Sequence, residues 1–171
     1  MQTPANIRKW TELKGIAAVS LDTGKKVGTI EDFYFEPQTS AIYAFQVKTG
    51  LFGHHALPLA HIKAIGVDAI TFDSEKNLAK EEKGSHLATL PLASVLNQYR
   101  VLSEGGTVVG TIGNILLDVV DPTQVRLAGF ELAGGLREKL SGHHHMFGAN
   151  QVASYGHDVI VIPDAVAQTF Q

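Results

Sequence analysis

The side chains best suited to chemistry in this sequence are histidines in two runs, His54-His55 and His143-His144-His145. Neutral imidazole is the commonest side-chain metal ligand, and two or three of them satisfy zinc, nickel or copper. No cysteine and no HExxH spacing accompanies them. Neighbours on a strand point to opposite faces, so one member of each pair misses a ligand sphere formed by the other. Three readings stand side by side: a divalent transition-metal site at His54, His55, His143, His144 and His145, pH-sensitive contacts, and plain exposed loop histidines. No other cofactor is expected.

Carboxylates are the next candidates. Glu31, Asp32 and Glu36 crowd one stretch, but the matching stretch later in the chain has Gly113, Asn114 and Asp118. General acid–base work needs one carboxyl with a raised pKa and a positioned partner, and a site present in both stretches would lose two of its acids. No catalytic residue is assigned, and the chain is expected not to be an enzyme. The Gly50-Leu51-Phe52-Gly53 and Gly134-Gly135-Leu136-Arg137 segments lack the strand–loop–helix setting of a phosphate cradle. They read as partner-facing loops, with Leu51, Phe52, Leu136 and Arg137 as contact residues, because apolar loop tips anchor interfaces. The alternative is that these tips close the ends of their own barrels. Arg8-Lys9-Trp10 is too small a basic-aromatic cluster to imply nucleic-acid binding; Trp10 is expected to pack on the first sheet.

These residues must be positioned by elements that occur twice. Val27-Gly28-Thr29-Ile30 returns as Val109-Gly110-Thr111-Ile112, His54-His55 as His144-His145, and Gly66-x-Asp68-x-Ile70 as Gly156-x-Asp158-x-Ile160. Ordered repetition points to two copies of one module. Each copy shows short alternating runs of β-branched and aromatic residues between turn signals such as Asp22-Thr23-Gly24 and Glu104-Gly105-Gly106, the pattern of hairpin-rich antiparallel sheet. Gly28, Gly110, Gly66, Gly156, Asp68 and Asp158 are read as turn formers, with each Asp bonding its own backbone. Leu57–Leu59 reads as a brief strand, 60–65 as a helical turn ended by Gly66, and 164–170 as a short helix capped by Asp164. The fold class is mainly β: two small antiparallel modules at 1–73 and 88–171, joined by a charged linker at 74–87.

With 171 residues, 44% hydrophobic and 18% charged, the chain has the composition of a globular protein. A net charge of −3 gives no general attraction to phosphate backbones or anionic lipid. The absence of cysteine excludes disulfides and thiolate metal sites. No stretch approaches the roughly 20 apolar residues of a membrane span, and no signal-peptide pattern opens the sequence. A cytoplasmic location is expected.

The strand, the D-x-G turn and the run K-V-G-T-I-E-D-F-Y-F-E resemble the opening hairpin of the PRC-barrel family. The run H-A-L-P-L-A-H-I-K-A-I-G-V-D-A-I-T-F resembles its closing half. The second copy is similar through Gly105-Gly106 and Val109–Asp118, and keeps Val152, Gly156, Asp158 and Ile160, with Gly148 in place of Pro58. The resemblance implies a half-open twisted barrel that serves as a docking surface, as in the H subunit of purple-bacterial photosynthetic reaction centres and in the ribosome maturation factor. The expectation is a non-catalytic adaptor for a protein partner, binding through barrel loops or sheet edges, with a homo-oligomer also in view. The rivals are a metal- or small-ligand-binding module at the His loops, a ribosome-associated maturation factor, and a peripheral partner of a photosynthetic complex.

Overall fold

The computed structural model describes residues 6–51, 53–134 and 145–170. Strand β1 (Ile7–Lys9) leads directly into a one-turn helix, α1 (Trp10–Leu13). Then come β2 (Ala17–Ser20), β3 (Lys25–Glu36), β4 (Ala41–Thr49), β5 (Gly53–Pro58), a 3-10 turn (Leu59–His61), β6 (Ile62–Ile65) and β7 (Ala69–Phe72). Two more single-turn helices follow, α2 (His86–Thr89) and α3 (Ala93–Leu96), before β8 (Arg100–Ser103), β9 (Val108–Asp118) and β10 (Arg126–Leu132). The chain closes with β11 (Met146–Gly148), a 3-10 turn (Ala149–Gln151), β12 (Ser154–Tyr155), β13 (Val159–Ile162) and α4 (Asp164–Gln168). The protein is mainly β, a curled sheet with a few short helices.

Strand pairing runs through one sheet in the order β12-β13-β8-β9-β10-β4-β3-β2-β7-β6. In the first half β3 pairs antiparallel with β2 and β4, β2 lies parallel to β7, and β6 folds back on β7. In the second half β9 pairs antiparallel with β8 and β10, β8 lies parallel to β13, and β12 folds back on β13. The parallel contacts arise because the intervening strands and 3-10 turn form the crossover that parallel strands need. A single register pair, Arg126 with Ala41, joins the two halves at the starts of β10 and β4.

The ends of the halves are exchanged. β1 belongs in sequence to the first half but pairs with β9, Lys9 opposite Leu116. Leu92 precedes β8 but bridges to Tyr34 on β3, and Phe35 N–H donates to the Pro91 carbonyl at 3.0 Å. Trp10 is buried with its ring 5.0 Å from Phe33, edge on, and stacked 6.4 Å from Phe45. One continuous core therefore takes Trp10, Phe33, Phe45 and Phe72 from the first half together with Ile115, Phe130 and Ile160 from the second. On β3, Phe33 and Phe35 enter this core, while Tyr34 between them enters a separate cluster with Ala44, Ala56, Leu87, Leu90 and Leu92. Period-two alternation thus serves two apolar layers. The second layer is covered by Leu87, at the end of the charged stretch read as a linker, and by Leu90 and Leu92 beyond it, while Ala79 of that stretch exchanges two backbone hydrogen bonds with Ala56 on the outer edge of β5.

Three local readings are corrected. Residues 60–65 do not form a helical turn: one 3-10 turn ends at His61 and β6 follows, which buries both Leu59 and Ile62. The strand at Leu57 begins earlier, at Gly53, so His54 and His55 lie within it. The N-cap of α4 is Pro163, not Asp164. The Asp164 carboxylate instead accepts the Gly105 N–H at 2.9 Å and ties the terminal helix to the β8–β9 turn.

Candidate functional site

β5 presents its two histidines in opposite directions, as a strand must. His54 is half-exposed, with Nδ1 2.9 Å from the Glu31 Oε2 oxygen. His55 turns its Nδ1 to Thr49 Oγ1 at 2.7 Å and braces the β4–β5 hairpin. His145 stands at the matching place in the second half, since its carbonyl accepts Leu132 N–H at 2.8 Å, and its ring lies 5.2 Å from Phe170. β4 and β10 meet only at their starts and run antiparallel, so their C-terminal ends, beside which His54-His55 and His145 lie, point in opposite directions. His54-His55 and His145 are not brought together. Among the described residues no three His, Asp or Glu side chains converge on a metal-sized site. His143 and His144 lie outside the described residues, as do Phe52, Leu136 and Arg137.

Leu51 is the most exposed large apolar side chain described, at 86%. Gly50 precedes it at φ +69°, a conformation that removes the steric objection to a tight reversal. Thr49 opposite Gly53 closes the hairpin below it. Lys25, Lys26 and Lys48 are exposed on the adjoining strands, Lys48 opposite Thr29 of β3.

The glycines read as turn formers divide into two kinds. Gly66 and Gly156 do make corners, donating to Ala69 and Val159 carbonyls at 2.8 Å. Gly28 and Gly110 do not: both lie inside long strands, each beside a β-bulge, opposite Ala18 and Val101. A Cβ on Gly28 would stand 2.1 Å from the Lys48 carbonyl oxygen, so this glycine permits close backbone approach. Asp68 and Asp158 act through their carbonyls, which accept the N–H of Ala17 and Arg100 at 3.3 Å and start β2 and β8. No side-chain bond from either Asp to its own turn occurs among the described residues.

The acids likewise serve the fold. Asp32 Oδ1 accepts from Phe33 N–H at 2.9 Å and Ser94 N–H at 3.1 Å. Glu36 meets His86 Nε2 at 2.8 Å. Tyr34 donates to Glu81 at 2.6 Å and accepts from Gln46 Nε2 at 3.1 Å. Burial, then the Glu81 carboxylate, push the Tyr34 phenol well above its ordinary range. Ser20 and Ser74 hydroxyls hold the Asp22 carboxyl below its usual value. The Tyr34–Gln46–Glu81 group escaped sequence reasoning. Alternation puts Tyr34 on the face opposite Phe33 and Phe35, a signal that its hydroxyl needed a partner, but nothing in the sequence pointed to Glu81.

No described helix is long and apolar enough to cross a membrane. No curated protein matches the chain. A family model described as the PRC-barrel domain matches residues 6–78, from the residue before β1 to Leu78 beyond β7. Residues 6–78 are thus a segment of the PRC-barrel domain family.

Proposed function

We propose that the chain is a non-catalytic docking protein that holds a protein partner through its barrel loops and sheet edges, and that residues 88–171 are a second copy of the PRC-barrel module. The observation that carries the docking function is Leu51, 86% exposed at the tip of a hairpin whose base is braced by the His55–Thr49 contact. A large apolar side chain exposed above a hydrogen-bonded hairpin base has the chemistry of an interface anchor. The matching strand pairing of β8–β13 and β2–β7 supports the second copy. The chemistry-bearing groups described above are engaged in the fold: Asp32 caps a helix, Glu36 and Glu81 tie down the connecting strap, and His55 supports a hairpin.

Affinity capture from cells of the source organism, with wild type beside Leu51→Ser, tests this. A stoichiometric partner held by wild type and lost by the variant supports docking at this hairpin. Equal recovery with both removes Leu51 from the interface.

A further inference from the structure

Between Leu78 and Leu87 the connecting strap crosses the outer edge of β5 with no side chain buried. Residues 79–84 and His86 are exposed, and only Ser85 is partly covered. What holds this stretch down is polar. Ala79 and Ala56 exchange backbone bonds at 2.7 and 2.8 Å, Glu81 accepts from the Tyr34 phenol at 2.6 Å, and His86 meets Glu36 at 2.8 Å. The flanking anchors are apolar, with Leu78 packed on the main core and Leu87 on the Tyr34 layer. The fit beneath is incomplete: a cavity of about 240 Å³ is lined by Lys80, Glu82 and Leu87 of the strap and by Ala44, Ala56 and Pro58 of the sheet. A stretch pinned by apolar anchors at its ends, and by exposed polar bonds between them, opens locally while the fold stays intact.

We propose that residues 79–86 are a displaceable cover, and that the segment displacing them is an extended stretch of a protein partner carrying a small residue, an apolar residue and a glutamate in sequence. The inference rests on the docking function proposed above, to which it adds a second contact. The occupant's chemistry is read from the segment the edge already holds. Main-chain bonds to Ala56 give the affinity of strand addition, and alternate side chains give its specificity. The small residue follows from Ala79, whose backbone lies against Ala56. The carboxylate two positions on follows from Tyr34, which is buried and whose O–H needs an acceptor at that place. The apolar residue between them is where a partner improves on the strap. Lys80 borders the cavity without filling it, and apolar surface buried there against Ala44 and Pro58 favours the replacement.

The probe is a synthetic peptide copying residues 77–87 with Lys80→Leu, titrated into the isotopically labelled full chain. Saturable amide shifts at Ala56 and Ala79 are expected. Binding should be about tenfold tighter than for the unaltered copy, and about tenfold tighter than for a peptide that also carries Glu81→Gln. The decisive variant is Glu81→Gln in the chain itself, at an exposed position. It loosens the cover and leaves Tyr34 in place, so it should raise peptide affinity about tenfold. It should also speed hydrogen exchange at Ala56, with exchange at Ile30, bonded to the Ile16 carbonyl, unchanged. A purely structural strap gives no peptide binding, or binding that Glu81→Gln in the chain leaves unchanged or lowers; either result overturns the proposal. So does a concentration-dependent dimer that the peptide dissociates, which assigns the edge to the strap of a second copy. Peptide binding with no partner captured supports the cover and counts against the docking function. Leu51-dependent capture with no peptide binding does the reverse.

Discussion

Asp32 Oδ1 accepts the Ser94 backbone N–H at 3.1 Å across a separation of 62 residues, joining β3 of the first half to the first turn of α3 at the entry to the second. The counterpart in the other direction is Asn114, whose side-chain nitrogen donates to Thr11 Oγ1 at 3.0 Å and whose Oδ1 accepts from Ile115 N–H. Each half thus fastens the short helix that leads into the other's first strand.

Replacing Asp32 by Ala strands two N–H groups, those of Phe33 and Ser94, in a buried setting. The expected loss is about 1–3 kcal/mol in urea denaturation. Asp32→Asn keeps the acceptor that Asn114 uses in the other half, and should lose less than about 1 kcal/mol.

Trp10 fills the space between Phe33 and Phe45 from an arm whose strand is paired to β9. Trp10→Ala should cost about 3–5 kcal/mol by lost burial and cavity formation. The unfolding transition should remain single, because the core is continuous across both halves. Calorimetry reads both.

Gly28 and Gly110 occupy corresponding places and differ in what surrounds them. Gly28→Ala drives a methyl into the Lys48 carbonyl at 2.1 Å and should cost about 1–3 kcal/mol or more. The nearest atom to a Cβ on Gly110 is Leu132 Cδ2 at 3.8 Å, an ordinary contact. Gly110→Ala should leave stability unchanged or raise it by up to about 1 kcal/mol. Paired melting curves decide.

Alkaline pH should act through Tyr34. Its phenol ionises above the ordinary value of 10.0 in the folded protein, mainly through burial, so the unfolded chain releases its proton first. Its contribution to stability is complete below pH 10 and declines as pH rises beyond it. Tyr34→Phe should flatten this decline in denaturation measured across that range; the residual slope belongs to Tyr99 and Tyr155, which burial also raises.

Alternation at Lys26–Glu36 and Ala41–Lys48 was enough to place β3 and β4, because buried faces impose a period of two that the residue types preserve. The Gly66 and Gly156 corners were legible for the same reason, as their turns are local. What escaped was non-local. Nothing in Ile7-Arg8-Lys9 signals pairing with Leu116 more than 100 positions on, since a three-residue strand carries little pattern of its own. Ala79 looked like part of a charged linker because its role is played by its backbone, which composition does not record. The histidines drew attention by type, but residue type is silent on direction, and β4 and β10 run apart. Leu51 was legible as an apolar tip; its exposure needed the hairpin beneath it.

The central claim is that the β4–β5 hairpin is a protein-docking surface, and a photo-crosslinking residue placed at position 51 tests it most directly. Irradiated in source-organism cells, it should yield one dominant adduct with a single protein, reduced when untagged wild type competes. A control crosslinker at Val67, itself 79% exposed at another corner, should not yield that adduct. The same adducts from both positions, or none at 51, would contradict the claim.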